Sequence, residues 1–313
     1  ELLNTSSNQA NRVRNSADRI QALYLARSSL NLARFILMVD RFIDSQKSKA
    51  GVGIADTPQD LWATPNSFPL APEEVQLLIR GTDEKRAAAN DTPEKKEELK
   101  KCQDFFTDFP GGATSLTTDL SGKLFLNDLR APSGQLTQEV LVDLLRPNSD
   151  FLRHLSERNI TPEGLAQEIR DYSDEDTVET ENTPENSPYT AMQLDYDPKN
   201  RVYTNLDELK LVPHMDDFIF ERLSEEVNPY NIPASLKPPP SKFNLNTVSQ
   251  NVFQALLKNQ PDAEAIAERF VKDREENKRV YTDKDLAQVL DDTLRLNKDS
   301  IRLNLLTGVS DSF

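Results

Sequence analysis

The residues best suited to chemistry gather between Asp171 and Asn200. Asp171, Asp174 and Asp176, followed by Glu179, Glu181 and Glu185, crowd like charges into a Pro-containing stretch that runs to Pro198. Such crowding is unfavourable unless water, an arginine or a hard cation offsets it. Calcium accepts about six to eight oxygen ligands in a flexible loop. The stretch therefore reads either as a solvated acidic loop or as a Ca2+ site. It is not an EF-hand: counted from Asp174, the fifth and sixth positions are Val178 and Glu179, where a ligand and a glycine belong.

Other constellations are weaker. His154 and His214 are the two histidines, and neither has a partner at the three- or four-residue spacing of a metal-binding helix, so they read as surface or turn residues. Cys102, the single cysteine, has no histidine near it in sequence to activate it and no second thiol for a disulfide. Gly111-Gly112 is followed by Ala113 and Thr114 without the lysine of a phosphate loop, and reads as a hairpin turn. Carboxylates are abundant, but a hydrolase needs a pair with separated pKa values in a cleft, and no motif marks one. The residues point to a non-enzymatic chain.

Charge narrows the partners. Across 313 residues, 52 acidic against 37 basic side chains give a net charge of -15, which repels a nucleic-acid backbone unless a local basic patch overrules it. The densest basic cluster, Lys95, Lys96, Lys100 and Lys101, alternates with Glu94, Glu97 and Glu98 in the pattern of a solvated helix with i,i+4 pairs. A helix-hairpin-helix nucleic-acid module is the alternative function, because Leu206 to Val227 and Ala263 to Leu294 read as paired short helices. Val212-Pro213-His214 lacks the glycine such a hairpin uses and loses one N–H to proline.

The elements that must position these residues begin with one long amphipathic helix. Residues Asn8 to Ser45 contain no Pro or Gly, and Leu23, Ala26, Leu30, Ala33 and Leu37 recur at steps of three and four. With Ala22, these residues supply an apolar stripe for a partner helix or for the protein's own sheet. The longest apolar run near the amino end, Phe35 to Val39, is far short of the roughly 20 residues of a bilayer span. Strand-like segments at Cys102 to Phe109 and Leu116 to Leu129 flank the turn at 110–112. Helical spacing follows at Thr137 to Leu145 and Ile160 to Arg170, then at Leu206 to Leu211 and Asp216 to Val227. After the prolines at 238–240 come a strand at Lys242 to Asn246, helices at Val252 to Leu257, Ala263 to Asp273 and Lys284 to Leu294, and an alternating segment at Ser300 to Leu306. Strands bracket helices, so the fold class is α+β. Leu124-Phe125-Leu126-Asn127-Asp128 is echoed by Phe243-Asn244-Leu245-Asn246-Thr247, a strand leaving through Asn each time.

Four stretches in order resemble the K-type minor pseudopilin family of type II secretion systems (general secretion pathway protein K). They are Gln21 to Ala33; Ser121-Gly122-Lys123-Leu124-Phe125-Leu126-Asn127-Asp128-Leu129; Asp171 through Tyr189 and Asn200 to Leu209; and Phe243-Asn244-Leu245-Asn246-Thr247 with Val252 and Leu256. Phe125 stands where the family has Asn, Tyr172 where it has Trp, and His214 where it has Gly. The resemblance implies a pilin-like long helix packed on an antiparallel sheet, with a large inserted helical domain, divided as 1–130, 131–234 and 235–313. It implies a structural subunit at the tip of a periplasmic pseudopilus, assembled with I-type and J-type minor pseudopilins and held in the inner membrane by an upstream helix. It further implies Ca2+ in the acidic loop, with Asp171, Asp174 and Asp176 as ligands and Glu185 and Asn200 as further oxygen donors. The partner-facing side of the helix would carry Ala22, Leu23, Ala26, Leu30, Ala33 and Leu37. The end, Ser310-Asp311-Ser312-Phe313, resembles the start of a final strand.

Overall fold

The computed structural model describes residues 2–52, 54–71, 92–107, 109, 111–130, 134–146, 148–174, 184–230, 241–258, 260–283, 286 and 301–310. The chain divides into two compact units, residues 1–51 with 58–118, and residues 52–57 with 119–313.

The first unit is a helix laid on a pair of antiparallel strands that are far apart in sequence. Helix α1 (Leu2–Lys49) packs on β1 (Asn66–Phe68) and β2 (Ala113–Ser115), which pair antiparallel with Asn66 opposite Ser115 and Phe68 opposite Ala113. Its inward face is Leu25, Ser29, Ala33 and Ile36, a ridge with small residues at its centre that lets the helix approach the strands. Ser29 is the pivot: its hydroxyl donates to the Asn66 carbonyl (3.1 Å) and to Ser115 Oγ (2.9 Å), and Ser115 Oγ donates back to the Ser29 carbonyl (3.1 Å). One window of α1 has the length and mean hydropathy, 1.2, of a membrane span, which amends the sequence reading of a short apolar run.

Cys102 to Phe109 is not a strand. Helix α2 (Pro93–Thr107) continues through it, extended by i,i+4 pairing such as Lys101 Nζ to Glu97 Oε1 at 2.8 Å, and leaves Cys102 exposed. Gly111 (φ 120°) then carries the chain into β2, so the Gly pair joins a helix to a strand rather than two strands. Phe109 anchors this corner edge-on against Phe68 and Phe105, at 5.2 and 5.3 Å between ring centres.

The second unit holds most of the buried core. Its helices are α3 (Gly134–Leu144), α4 (Ser149–Glu157), α5 (Pro162–Asp171), α6 (Ser187–Ala191), α7 (Asp217–Ser224), α8 (Gln250–Leu256) and α9 (Ala263–Glu276). Several start on a side-chain cap that satisfies an otherwise orphaned N–H: Asn148 to Phe151 N, Thr161 to Gly164 N, Asp216 to Ile219 N and Ser249 to Val252 N. Phe253 of α8 and Phe270 of α9 stack at 3.8 Å. The expected helix at Lys284 to Leu294 falls almost wholly outside the described residues.

Among the described residues the predicted antiparallel sheet is reduced to the β1–β2 pair and an isolated bridge between Leu257 and Ile301; the other strands of the second unit form two-residue parallel pairs. Strand β3 (Leu124–Phe125) pairs with β4 (Val227–Asn228), and β5 (Phe243–Asn244) with β6 (Leu306–Thr307). These pairs reveal that the sequence echo is a structural repeat. Asn127 Nδ2 donates to the carbonyls of Tyr203 (3.0 Å) and Pro229 (2.6 Å), and its Oδ1 accepts from Tyr203 N (2.8 Å). Asn246 Nδ2 donates to the carbonyls of Tyr281 (3.0 Å) and Gly308 (3.0 Å), and its Oδ1 accepts from Tyr281 N (2.8 Å). Each buried Asn clamps a distant Tyr backbone to the residue just past the second strand. Gly308 is required at its clamp, because a Cβ there would stand 2.1 Å from the Tyr281 carbonyl oxygen.

Candidate functional site

The first repeat positions the acidic cluster. Helix α5 starts on the Thr161 cap with Pro162 in its first turn and buries Leu165, Ala166 and Ile169, which aims its final residue, Asp171, inward. Asp174 follows one turn later, its backbone N–H bonded to the Arg170 carbonyl at 3.0 Å. Tyr203, fixed by Asn127, donates its hydroxyl to the Ile169 carbonyl (2.7 Å) and stacks on Tyr172 at 5.2 Å. The chain returns at Glu185 ahead of α6, and again at Asn200, whose N–H bonds the Tyr172 carbonyl (2.9 Å) with φ of 49°. Asparagine tolerates that left-handed conformation better than most residues.

Carboxylate oxygens of Asp171, Asp174 and Glu185 all lie within 4.8 Å of one another, and all three residues are buried. Asn200 Nδ2 donates to Glu185 Oε2 at 3.4 Å, Gln167 Nε2 donates to Asp171 Oδ1 at 2.5 Å, and Arg170 Nε stands 3.7 Å from Asp174 Oδ2. Calcium bonds oxygen at about 2.3–2.6 Å, so oxygens on opposite sides of one ion stand about 4.8 Å apart. The observed spacing and the all-oxygen donor set fit that ion. Of the five expected ligands, Asp171, Asp174, Glu185 and Asn200 are brought together; Asp176 lies outside the described residues.

A tyrosine cage closes the inner side of the cluster. Tyr189 is buried, with its hydroxyl unbonded among the described groups, and its ionisation is pushed far up by burial, then by Tyr172, Glu168, Tyr196 and Asp171. Tyr172 is pushed up to about 12, chiefly by burial. These phenols stay neutral and dry the site, which strengthens any cation–carboxylate attraction there. Sequence reasoning missed them because Tyr189 and Tyr203 reach the cluster only through the fold.

The helix face sorts differently from expectation. Ala22, Leu23, Ala26 and Leu30 are exposed on α1, Leu37 is half-buried, and Ala33 faces the protein's own β1–β2 pair. Ala33 is therefore not a partner residue: it shares the inward ridge with Ser29. The outward face instead adds Ile20, Tyr24, Phe35, Met38 and Phe42.

The histidines are hydrogen-bonded to carboxylates near helix ends. His154 Nε2 meets Asp216 Oδ2 at 2.7 Å, beside Arg158 on the same carboxylate, and His214 Nδ1 meets Glu168 Oε1 at 2.7 Å. The 212–214 loop thus presents a carboxylate where a nucleic-acid hairpin would present bare N–H groups.

The described fold is a long helix on two antiparallel strands and, in the second unit, helices with short parallel strand pairs. Residues 122–228, about a third of the chain, match the family model for type II secretion system (T2SS), protein K. The match begins at Gly122 and ends at Asn228, spanning the first Asn-clamped repeat with its acidic cluster. A chain in the crystal structure of the GspK-GspI-GspJ complex from the enterotoxigenic Escherichia coli type 2 secretion system is similar in fold, with a TM-score of 0.50 and 19% identity over 82% of this chain and 72% of that one. No curated protein matches the sequence.

Proposed function

We propose that this chain is a minor pseudopilin of K type, a structural and non-enzymatic subunit at the tip of the type II secretion pseudopilus. It assembles with the I-type and J-type minor pseudopilins on the periplasmic side, and an upstream membrane helix holds it in the inner membrane before assembly. The observation that carries this reading is the protein K domain at residues 122–228, which coincides with the repeat that encloses the buried acidic cluster. The similarity in fold to a chain of the GspK-GspI-GspJ complex supports it. Physically, α1 leaves Leu23, Tyr24, Leu30, Phe35, Met38 and Phe42 outside while its opposite face packs on the β1–β2 pair. A soluble monomer has no use for such a face, whereas a helical assembly does.

Calcium is assigned to Asp171, Asp174 and Glu185, with Asn200 oriented beside Glu185 and Asp176 as a further donor. The bound ion supplies positive charge that ties the end of α5 to the returning chain, so that the first repeat is fixed only when the ion is present.

Co-purification of the protein with the soluble domains of I-type and J-type pseudopilins, in millimolar calcium, tests the reading. A stable ternary complex is expected. Failure of the three to co-elute would overturn it. Calorimetric titration with calcium tests the ion separately, and absence of binding heat together with an unchanged melting temperature rejects it.

A further inference from the structure

The outer surface of α1 carries a charge pattern opposite to the rest of the protein. Arg12, Arg19, Arg27, Arg34 and Arg41 recur seven or eight residues apart, which places them along one side of the helix for about 43 Å. All five are exposed, and among the described residues none forms an ion pair. Of the described helix carboxylates, Asp40 and Asp44 are half-buried, Asp44 paired with Lys47, and Asp18 is exposed. Exposed cations about 10–12 Å apart on a chain of net charge -15 repel one another little, and they present a locally positive face to an outside partner. Leu23 and Leu30 sit within the arginine line, and Ile20, Tyr24 and Met38 form an exposed apolar line beside it.

We propose that this face receives the acidic side of another α-helix lying alongside α1, with apolar residues forming the seam and the arginines pairing with carboxylates at heptad-like spacing. The inference rests on the reading of α1 as an assembly helix and names the chemistry of its partner. The flanking arrangement is that of paired helices, in which charged residues beside an apolar seam choose partner and register. An anionic membrane surface fits less well. A helix lying on lipid carries cations on both flanks of its apolar face, whereas here the opposite flank carries Arg14 and then, at Leu25, turns into the protein.

The full chain is tested by fluorescence anisotropy against a labelled helical peptide with a Leu seam and Glu at every seventh position. A peptide with Lys in place of Glu, and vesicles containing phosphatidylglycerol, serve as controls. The Glu peptide is expected to bind, with affinity falling as salt rises, and the Lys peptide and vesicles are not. The double variant Arg27→Gln/Arg34→Gln, on the exposed surface, should bind the Glu peptide about fivefold more weakly, because each exposed pair contributes about two- to threefold. Arg27→Glu/Arg34→Glu should switch preference to the Lys peptide.

Equal binding of both peptides, or an unchanged affinity in the Gln variant, overturns the proposal. So does vesicle capture that the same variants abolish while neither peptide binds, which assigns the stripe to a membrane. The co-purification with I-type and J-type domains is independent of these peptides. Loss of that complex with retained Glu-peptide selectivity rejects the pseudopilin assembly and leaves the acidic-helix site standing.

Discussion

Replacing Asp174 by Asn gives opposite expectations for a cation site and for an ordinary buried polar cluster. Asp174 faces two other carboxylates with oxygens within 4.8 Å, and each like-charge pair at that distance costs about 3.5 kcal/mol at an effective dielectric constant of about 20. Against this stands the attraction to Arg170 at 3.7 Å, worth about 4.5 kcal/mol on the same scale. Without a cation, Asp174→Asn therefore relieves about 2.5 kcal/mol net, which raises the melting temperature by roughly 5–10 °C for a unit of this size. With calcium at about one hundred times its dissociation constant, the wild-type protein gains about 2.7 kcal/mol. A variant that binds about a hundredfold more weakly gains only about 0.4 kcal/mol. The advantage of the variant should thus vanish when calcium replaces chelator. Differential scanning calorimetry of both proteins, each in EDTA and in calcium, gives the four temperatures required. If Asp174→Asn melts below wild type in EDTA and neither protein responds to calcium, the carboxylates are structural hydrogen-bond acceptors and the cation argument is refuted.

Asn246→Ala removes three buried hydrogen bonds and orphans the Tyr281 and Gly308 backbone groups, so it should cost about 3 kcal/mol or more, a fall of roughly 6–12 °C in the second unit; an unchanged melting curve would reject the clamp. Asn127→Ala should destabilise similarly and also weaken calcium binding, because Tyr203 leads to the cluster, whereas Asn246→Ala should leave calcium affinity unchanged; calorimetric titration compares the two. Asp40 titrates at about 6 instead of its ordinary 3.8, raised first by burial and then by Asp44 and Asp60, so the folded chain holds this proton more tightly than the unfolded chain. Its contribution to stability is full below about pH 4, is lost as pH rises to about 6 and is flat above, and Asp40→Asn should flatten that slope in denaturant titrations. Leu30→Glu, on the exposed face, should weaken the proposed co-purification with I-type and J-type domains at unchanged melting temperature, while Ala33→Glu, on the inward ridge, should lower the melting temperature itself.

The sequence made α1 legible as a helix but not its inward face. The apolar stripe through Leu23, Leu30 and Leu37 lies well round the helix from the true contact, whose centre is Ser29. A serine reads as solvent-facing in any hydrophobic pattern, yet here its hydroxyl is satisfied by Asn66 and Ser115 from strands far along the chain. Aromatic density at Phe105 and Phe106 read as a strand, because local composition does not reveal that the Lys–Glu pairs upstream carry the helix through it. The acidic ligands were readable as chemistry, since charge crowding is a local property; the return of Glu185 and Asn200 depends on the fold around Tyr172 and Tyr203. The Leu-Asn echo was visible as a motif, but it read as two strand exits with local caps. Its actual partners are 76 and 35 residues away, beyond any local pattern.

The two repeats share a clamp and differ in what it serves. In the second, Asn246 fixes Tyr281, whose ring leans on Phe270 and through it on Phe253, so the clamp closes an apolar core. In the first, Asn127 fixes Tyr203, whose ring stacks on Tyr172 and whose hydroxyl holds the end of α5, so the same device closes around carboxylates. Apolar packing is complete on folding, whereas three clustered carboxylates are not stable together until a cation joins them. On the proposed calcium reading, the first repeat is expected to depend on the ion and the second is not. Hydrogen exchange in EDTA should then show loss of protection confined to residues around Asp171, Glu185 and Asn200, with α8 and α9 unchanged; uniform loss across both repeats would show that the ion acts on global stability and not on the clamp of the first.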